Sequence, residues 1–97
     1  MNIERIREME EYLNECTAAT EALAAQLERT DALREKMIRL FSYYGSSEWY
    51  EDREGELPKD LPAGVLSEDA VYDGITALRD AAFHMLELAA DILKNRI

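Results

Sequence analysis

Both prolines and the only tryptophan of this 97-residue chain fall in one stretch, Trp49 to Asp73 (WYEDREGELPKDLPAGVLSEDAVYD), and that stretch limits what the rest can build. Pro58 and Pro62 fix their own φ and push Leu57 and Leu61 toward extended conformations, while Gly45, Gly55 and Gly64 permit positive φ. No long helix runs through it. Trp49, Tyr50, Leu57, Leu61, Val65 and Leu66 are nevertheless too apolar for a free linker, whose composition would be Gly, Ser and charge. An ordered connector over residues 45–66 is therefore expected. Such a connector either covers the end of a helix pair or displays a binding surface.

On the N-terminal side, apolar positions run Ile6, Met9, Leu13, Cys16, Thr20, Leu23, Leu27 and Thr30, in alternating steps of three and four that make a heptad seam. Alanines at 18, 19, 22, 24 and 25 add a strip of small residues beside it, where a second helix can approach closely. Asn2 is placed to cap this helix and Glu4 lies in its first turn. After Thr30 the step to Leu33 repeats a three before Met37, Leu40 and Tyr44 resume the alternation, a stammer that overwinds or bends a helix. The reading is one helix over about 3–44, about 60 Å long if unbroken, with a bend near 30; the alternative is a break in which Thr30-Asp31 caps a fresh start. Gly45 supplies its C-terminal cap. Ser47-Glu48 then starts a short helical turn through about Arg53, which brings Trp49 and Tyr50 back toward Phe41, Tyr43 and Tyr44.

The second long helix is expected over about 67–96. Ser67 is its N-cap, Glu68 and Asp69 fill the first turn, and Leu66 with Val71 has the spacing of a hydrophobic staple. Val71, Ile75, Leu78, Ala82, Met85, Ala89 and Ile92 again alternate four and three, and a second column of Tyr72, Leu86, Ala90 and Leu93 lies beside them. Phe83, Leu88 and Ile97 are also apolar, and Lys94 and Arg96 suit the last turn. This apolar arc is wider than one partner helix needs. Gly74 weakens the helix by about 1 kcal/mol relative to alanine, and a close approach by the connector would account for it. The fold class is all-α: a single domain over 1–97 in which two long amphipathic helices pair as an antiparallel hairpin, joined by the ordered loop with its helical turn. The excess apolar surface is most economically covered by homodimerisation into a helical bundle; the rival is that this face awaits a different protein.

Composition narrows the functional classes. A formal net charge of −10 disfavours direct contact with nucleic-acid phosphates or anionic membrane surfaces, which require clustered Lys and Arg. The single cysteine, Cys16, cannot form an internal disulfide and lies on the apolar face of its helix. No apolar run reaches membrane-spanning length, and the N-terminus MNIERIREMEEYL has no secretory h-region, so the expected setting is the cytoplasm.

The segments YYGSSEW and LPKDLPAGVLSEDAVYD, within the run Tyr43 to Asp73 and its flanking helices, resemble a family of short bacterial proteins catalogued as domain of unknown function 4298. The likeness covers nearly the whole chain. It implies a bacterial, cytoplasmic, helical protein, and no activity, cofactor or catalytic residue that could be carried over.

Sites of chemistry are sparse. His84 has Asp80 one turn before it and Glu87 three residues after, but one histidine without a Glu-x-x-His motif falls short of a bundle metal site. Gly45-Ser46-Ser47 lacks the lysine and the preceding strand of a phosphate loop. Cys16 has no histidine nearby in sequence, and the acidic residues Glu51, Asp52, Glu54, Glu56 and Asp60 miss the calcium-loop spacing. No cofactor, metal or catalytic residue is assigned. The favoured function is a non-enzymatic interaction or homo-oligomeric module, with Tyr43, Tyr44, Trp49, Tyr50, Leu61 and Tyr72 as partner contacts. The alternatives are an acidic protein occupying a basic nucleic-acid-binding surface, and a small metal protein or enzyme around His84.

Overall fold

The computed structural model describes residues 1–95, and these form four α-helices, one 3₁₀ turn and no strand. The chain divides into two compact units, Met1–Met37 and Ile38–Ile97. The helices are α1 (Ile3–Ala32), α2 (Arg34–Tyr43), α3 (Ser47–Glu54) and α4 (Glu68–Lys94), with the 3₁₀ turn at Gly64–Leu66.

α1 starts where its sequence says it should. The Asn2 side chain accepts a hydrogen bond from the Arg5 backbone N–H at 3.0 Å, satisfying one of the donors that a helix start leaves over. The polar seam residue Thr20 is satisfied within the helix, its hydroxyl donating to the Cys16 carbonyl at 2.7 Å. Arg7 with Glu4 and Tyr12 with Glu8 add pairs one turn apart, each worth a few tenths of a kcal/mol. No residue of α1 is buried.

The stammer is expressed as a one-residue interruption at Leu33. Its N–H donates to the Thr30 carbonyl three residues back at 3.1 Å, a tightened turn, and its own carbonyl accepts from Met37 at 2.9 Å as α2 begins. Thr30 and Asp31 do not cap that restart. The Thr30 hydroxyl accepts from the Gln26 side chain at 3.2 Å and Asp31 is paired with Arg34 at 3.3 Å; neither side chain hydrogen-bonds the backbone at the start of α2.

In the second unit, α2 ends at Tyr43. Gly45 takes φ 77°, the left-handed conformation that lets the chain reverse, and the Ser46 N–H returns to the Tyr43 carbonyl at 2.9 Å. The cap of α3 is Ser46 rather than Ser47: its hydroxyl accepts from the Trp49 N–H at 3.3 Å. Beyond α3, the Leu61 N–H closes a turn onto the Pro58 carbonyl at 3.1 Å. The 3₁₀ turn then delivers Ser67, whose hydroxyl accepts from the Ala70 N–H at 3.4 Å and caps α4. Leu66 and Val71 flank that cap as expected of a staple; Val71 is buried and Leu66 half-buried.

Gly74 departs from expectation. It is exposed, and a Cβ built on it would meet nothing within 4 Å, so no close approach of the connector explains it. α4 ends at Lys94 with Asn95 as its cap; Arg96 and Ile97, which the sequence assigned to the last turn and the apolar surface, lie outside the described residues. Only Trp49 and Val71 are buried hydrophobic residues among those described. The second unit is thus organised around the connector.

Candidate functional site

Trp49 is the centre of the connector, and the reasons are local on one side and long-range on the other. The Ser46 cap places it in the first turn of α3, where its ring meets Tyr44 edge-on at 5.1 Å between centroids and Tyr50 at 5.0 Å. Sixteen residues later, the Val65 carbonyl in the 3₁₀ turn accepts the indole N–H at 2.9 Å. The Arg53 guanidinium, one turn further along α3, sits 4.6 Å from the ring centroid and also pairs with Glu68 at 3.2 Å. The Tyr44 hydroxyl donates to the Glu68 carbonyl at 3.1 Å. One indole therefore links the end of α2, α3, the 3₁₀ turn and the start of α4.

This arrangement sorts the six residues named from sequence. Trp49 is 2 % exposed and presents no face to a partner: it supports the surface from beneath. Tyr43 and Tyr44 are half-buried, with both hydroxyls engaged. Tyr50, Leu61 and Tyr72 stand open at 54 %, 50 % and 61 %. Tyr44, Trp49 and Tyr50 are in one aromatic chain, whereas Tyr43 and Leu61 meet around a separate cavity.

That cavity, of about 370 Å³, lies between α3 and the connector. Leu57, Leu61, Pro62, Val65 and Leu66 form its apolar wall, and Tyr43, Glu51, Asp52 and Gly55 line it from the helical side. The Tyr43 hydroxyl donates to Asp52 at 2.5 Å. That hydrogen bond, with smaller contributions from partial burial and from the charges of Asp52 and Glu48, pushes the phenol up to about 12.

Arg53 gives no functional signal in the sequence, and Ser46, Glu51 and Asp52 are weighed there only for a phosphate loop and a calcium loop, neither of which they form. Arg53 stands four residues after Trp49 on one helix, a spacing that already makes the two neighbours. Glu51 and Asp52 carried no comparable signal, because the apolar wall they face comes from residues 57–66. On α4, Phe83 and Leu86 are 60 % and 68 % exposed and with Arg79 and Ala82 frame a shallow depression of about 230 Å³. His84 is exposed, and no group of three or more His, Cys, Asp or Glu that could hold a metal occurs among the described residues. No helix among them is long and apolar enough to cross a membrane.

The family model for domain of unknown function 4298 matches residues 6–88, which takes in α2, α3, the whole connector and most of both long helices. The chain belongs to this family. The description of domain of unknown function 4298 names no activity. Comparison with curated proteins and with solved structures gives no match.

Proposed function

We propose that the chain is a non-enzymatic interaction module of the bacterial cytoplasm. α1 with α2 pairs against α4 as an antiparallel hairpin within a single domain, two hairpins associate as a homodimeric bundle, and the connector presents the specific surface. The observation that carries this reading is the exposed apolar ladder on the long helices. Ile6, Met9, Leu13, Leu23 and Leu27 on α1 are 46–58 % exposed, and on α4 Phe83, Leu86 and Leu93 reach 60 %, 68 % and 76 %. Contiguous apolar surface of this kind marks interaction sites. Phe83, Leu86, Ala90 and Leu93 also follow the three-and-four spacing of a helix seam, next to the Val71 to Ile92 seam on the same helix. Two adjacent seams fit two neighbours, one within the hairpin and one across the dimer.

Leu86→Glu tests it by placing a charge at the centre of the outer seam. Sedimentation velocity at micromolar concentration should show a dimer for the wild type and a monomer for the variant, with helicity reduced by no more than the loss of the contact implies. Unchanged sedimentation would remove the outer seam from the account. A complex with a basic nucleic-acid-binding protein that dissociates steeply with added salt would instead favour an acidic protein occupying that basic surface.

A further inference from the structure

The cavity beside α3 joins an apolar wall to an anionic end. Leu57, Leu61 and Val65 supply the wall, while Glu51 and Asp52 line the opposite side. Gly55, just past the last turn of α3, lines it too, and a Cβ built there would stand 3.6 Å from the Asp52 carbonyl oxygen and 3.9 Å from that of Glu51. The Asp52 carbonyl accepts from the Gly55 N–H at 3.4 Å, so the last turn of α3 closes at the lining residue Gly55. A helix C-terminus adds roughly half a negative charge to such a place.

The chain's own cations leave this end unneutralised. Residues 48–60 contain six acidic residues and two basic ones. Arg53 is held on the Trp49 ring and by Glu68, and Lys59, in the turn after Pro58, neither lines the cavity nor forms an ion pair with the described residues. Asp52 gives one oxygen to the Tyr43 hydroxyl and keeps the other, and Glu51 forms no side-chain hydrogen bond or ion pair among the described residues.

The geometry points to this cavity as the seat of an arginine side chain carried by a partner protein. Its methylenes would lie against Leu57, Leu61 and Val65, and its guanidinium would meet Glu51, the remaining oxygen of Asp52 and the carbonyl end of α3. A purely apolar side chain would fill the wall but gain nothing from the exposed carboxylates of Glu51 and Asp52 beside it. A long basic side chain satisfies both parts, burying its stem and presenting its head to the acids. Arginine fits better than lysine because its planar fork offers several donors at once and is more weakly hydrated. The volume, about 370 Å³, is at the small end of ligand cavities, enough for one long side chain and the edge of its neighbour but not for a helix. The net charge of −10 steers a cationic segment toward the chain.

This inference rests on the reading of the chain as an interaction module and specifies what the connector captures. The test is an NMR titration of the full ¹⁵N-labelled chain with the capped pentapeptide Ala-Leu-Arg-Leu-Ala and with the same peptide bearing Gln in place of Arg. Saturable amide shifts should localise to Gly55, Leu57, Leu61, Ala63 and Val65. Binding should be about fivefold weaker for the Gln peptide, and similarly weaker for Glu51→Gln, whose exposed side chain can change without unfolding the chain. Equal binding of the two peptides, shifts confined to the outer face of α4, or no saturation up to about 10 mM peptide would each overturn it. Dimerisation, read separately by sedimentation, is untouched by those outcomes, so failure here and failure of the module reading are distinguishable.

Discussion

Trp49→Ala is the substitution whose effect follows most directly from the geometry. The indole is 2 % exposed. A tryptophan buries roughly 150–250 Å², which at about 25 cal/mol per Å² amounts to about 4–6 kcal/mol as an upper estimate. Truncation also removes the hydrogen bond to the Val65 carbonyl and the platform under Arg53. Substitutions of this type cost about 3–5 kcal/mol, a large share of the roughly 5–15 kcal/mol that stabilises a small domain. Trp49→Phe should cost about half as much, because a ring still packs on Tyr44 while the Val65 carbonyl loses its donor. Tyr50→Ala, at a position 54 % exposed, should cost about 1 kcal/mol or less. Urea unfolding followed by far-ultraviolet circular dichroism ranks the three. A loss below about 1 kcal/mol for Trp49→Ala, or no difference between the Trp49 and Tyr50 variants, would show that the indole does not organise the connector.

Two further outcomes follow from single residues. The Tyr43 phenol, raised from 10.0 to about 12 chiefly by its hydrogen bond to Asp52, holds its proton more tightly in the folded chain. Its contribution to stability is therefore complete below about pH 10 and is lost as pH rises toward about 12. A ¹³C-tyrosine NMR titration should place the transition near the upper value and move it down in Asp52→Asn; a transition near 10 in the wild type would contradict the hydrogen bond. Gly45 and Gly74 should respond to alanine with opposite signs. Gly45, at φ 77°, should lose about 1 kcal/mol, whereas Gly74, helical and with open space around it, should gain about 0.5–1 kcal/mol. Thermal unfolding of both variants decides this, and a shared sign would refute it.

What could be read from sequence divides by the range of the interactions involved. The Asn2 and Ser67 caps and the staple around Ser67 depend on residues three to five apart, and all are present with the expected partners or burial. The stammer located the interruption near residue 30, but the helix restarts at Arg34, past Thr30 and Asp31, whose side chains pair with Gln26 and Arg34. For Trp49 the sequence leaves both a covered minor core and an exposed contact open; it is covered, and its donor contact is a carbonyl sixteen residues away that no local pattern reveals. For the same reason the acidic residues Glu51 and Asp52 are visible in sequence but not their place beside a cavity: α3 supplies them, while residues 57–66 supply the apolar wall. Gly74 had a plausible packing role in sequence that the open space around it removes, and no structural reason for a glycine takes its place.

The exposed ladders on α1 and α4 are central to the proposed function, and sedimentation equilibrium tests them most directly. Measured over a hundredfold concentration range at physiological salt, the account predicts a single species of about 22 kDa, twice the 11.1 kDa chain. A mass that stays at 11.1 kDa throughout would contradict self-association through those faces.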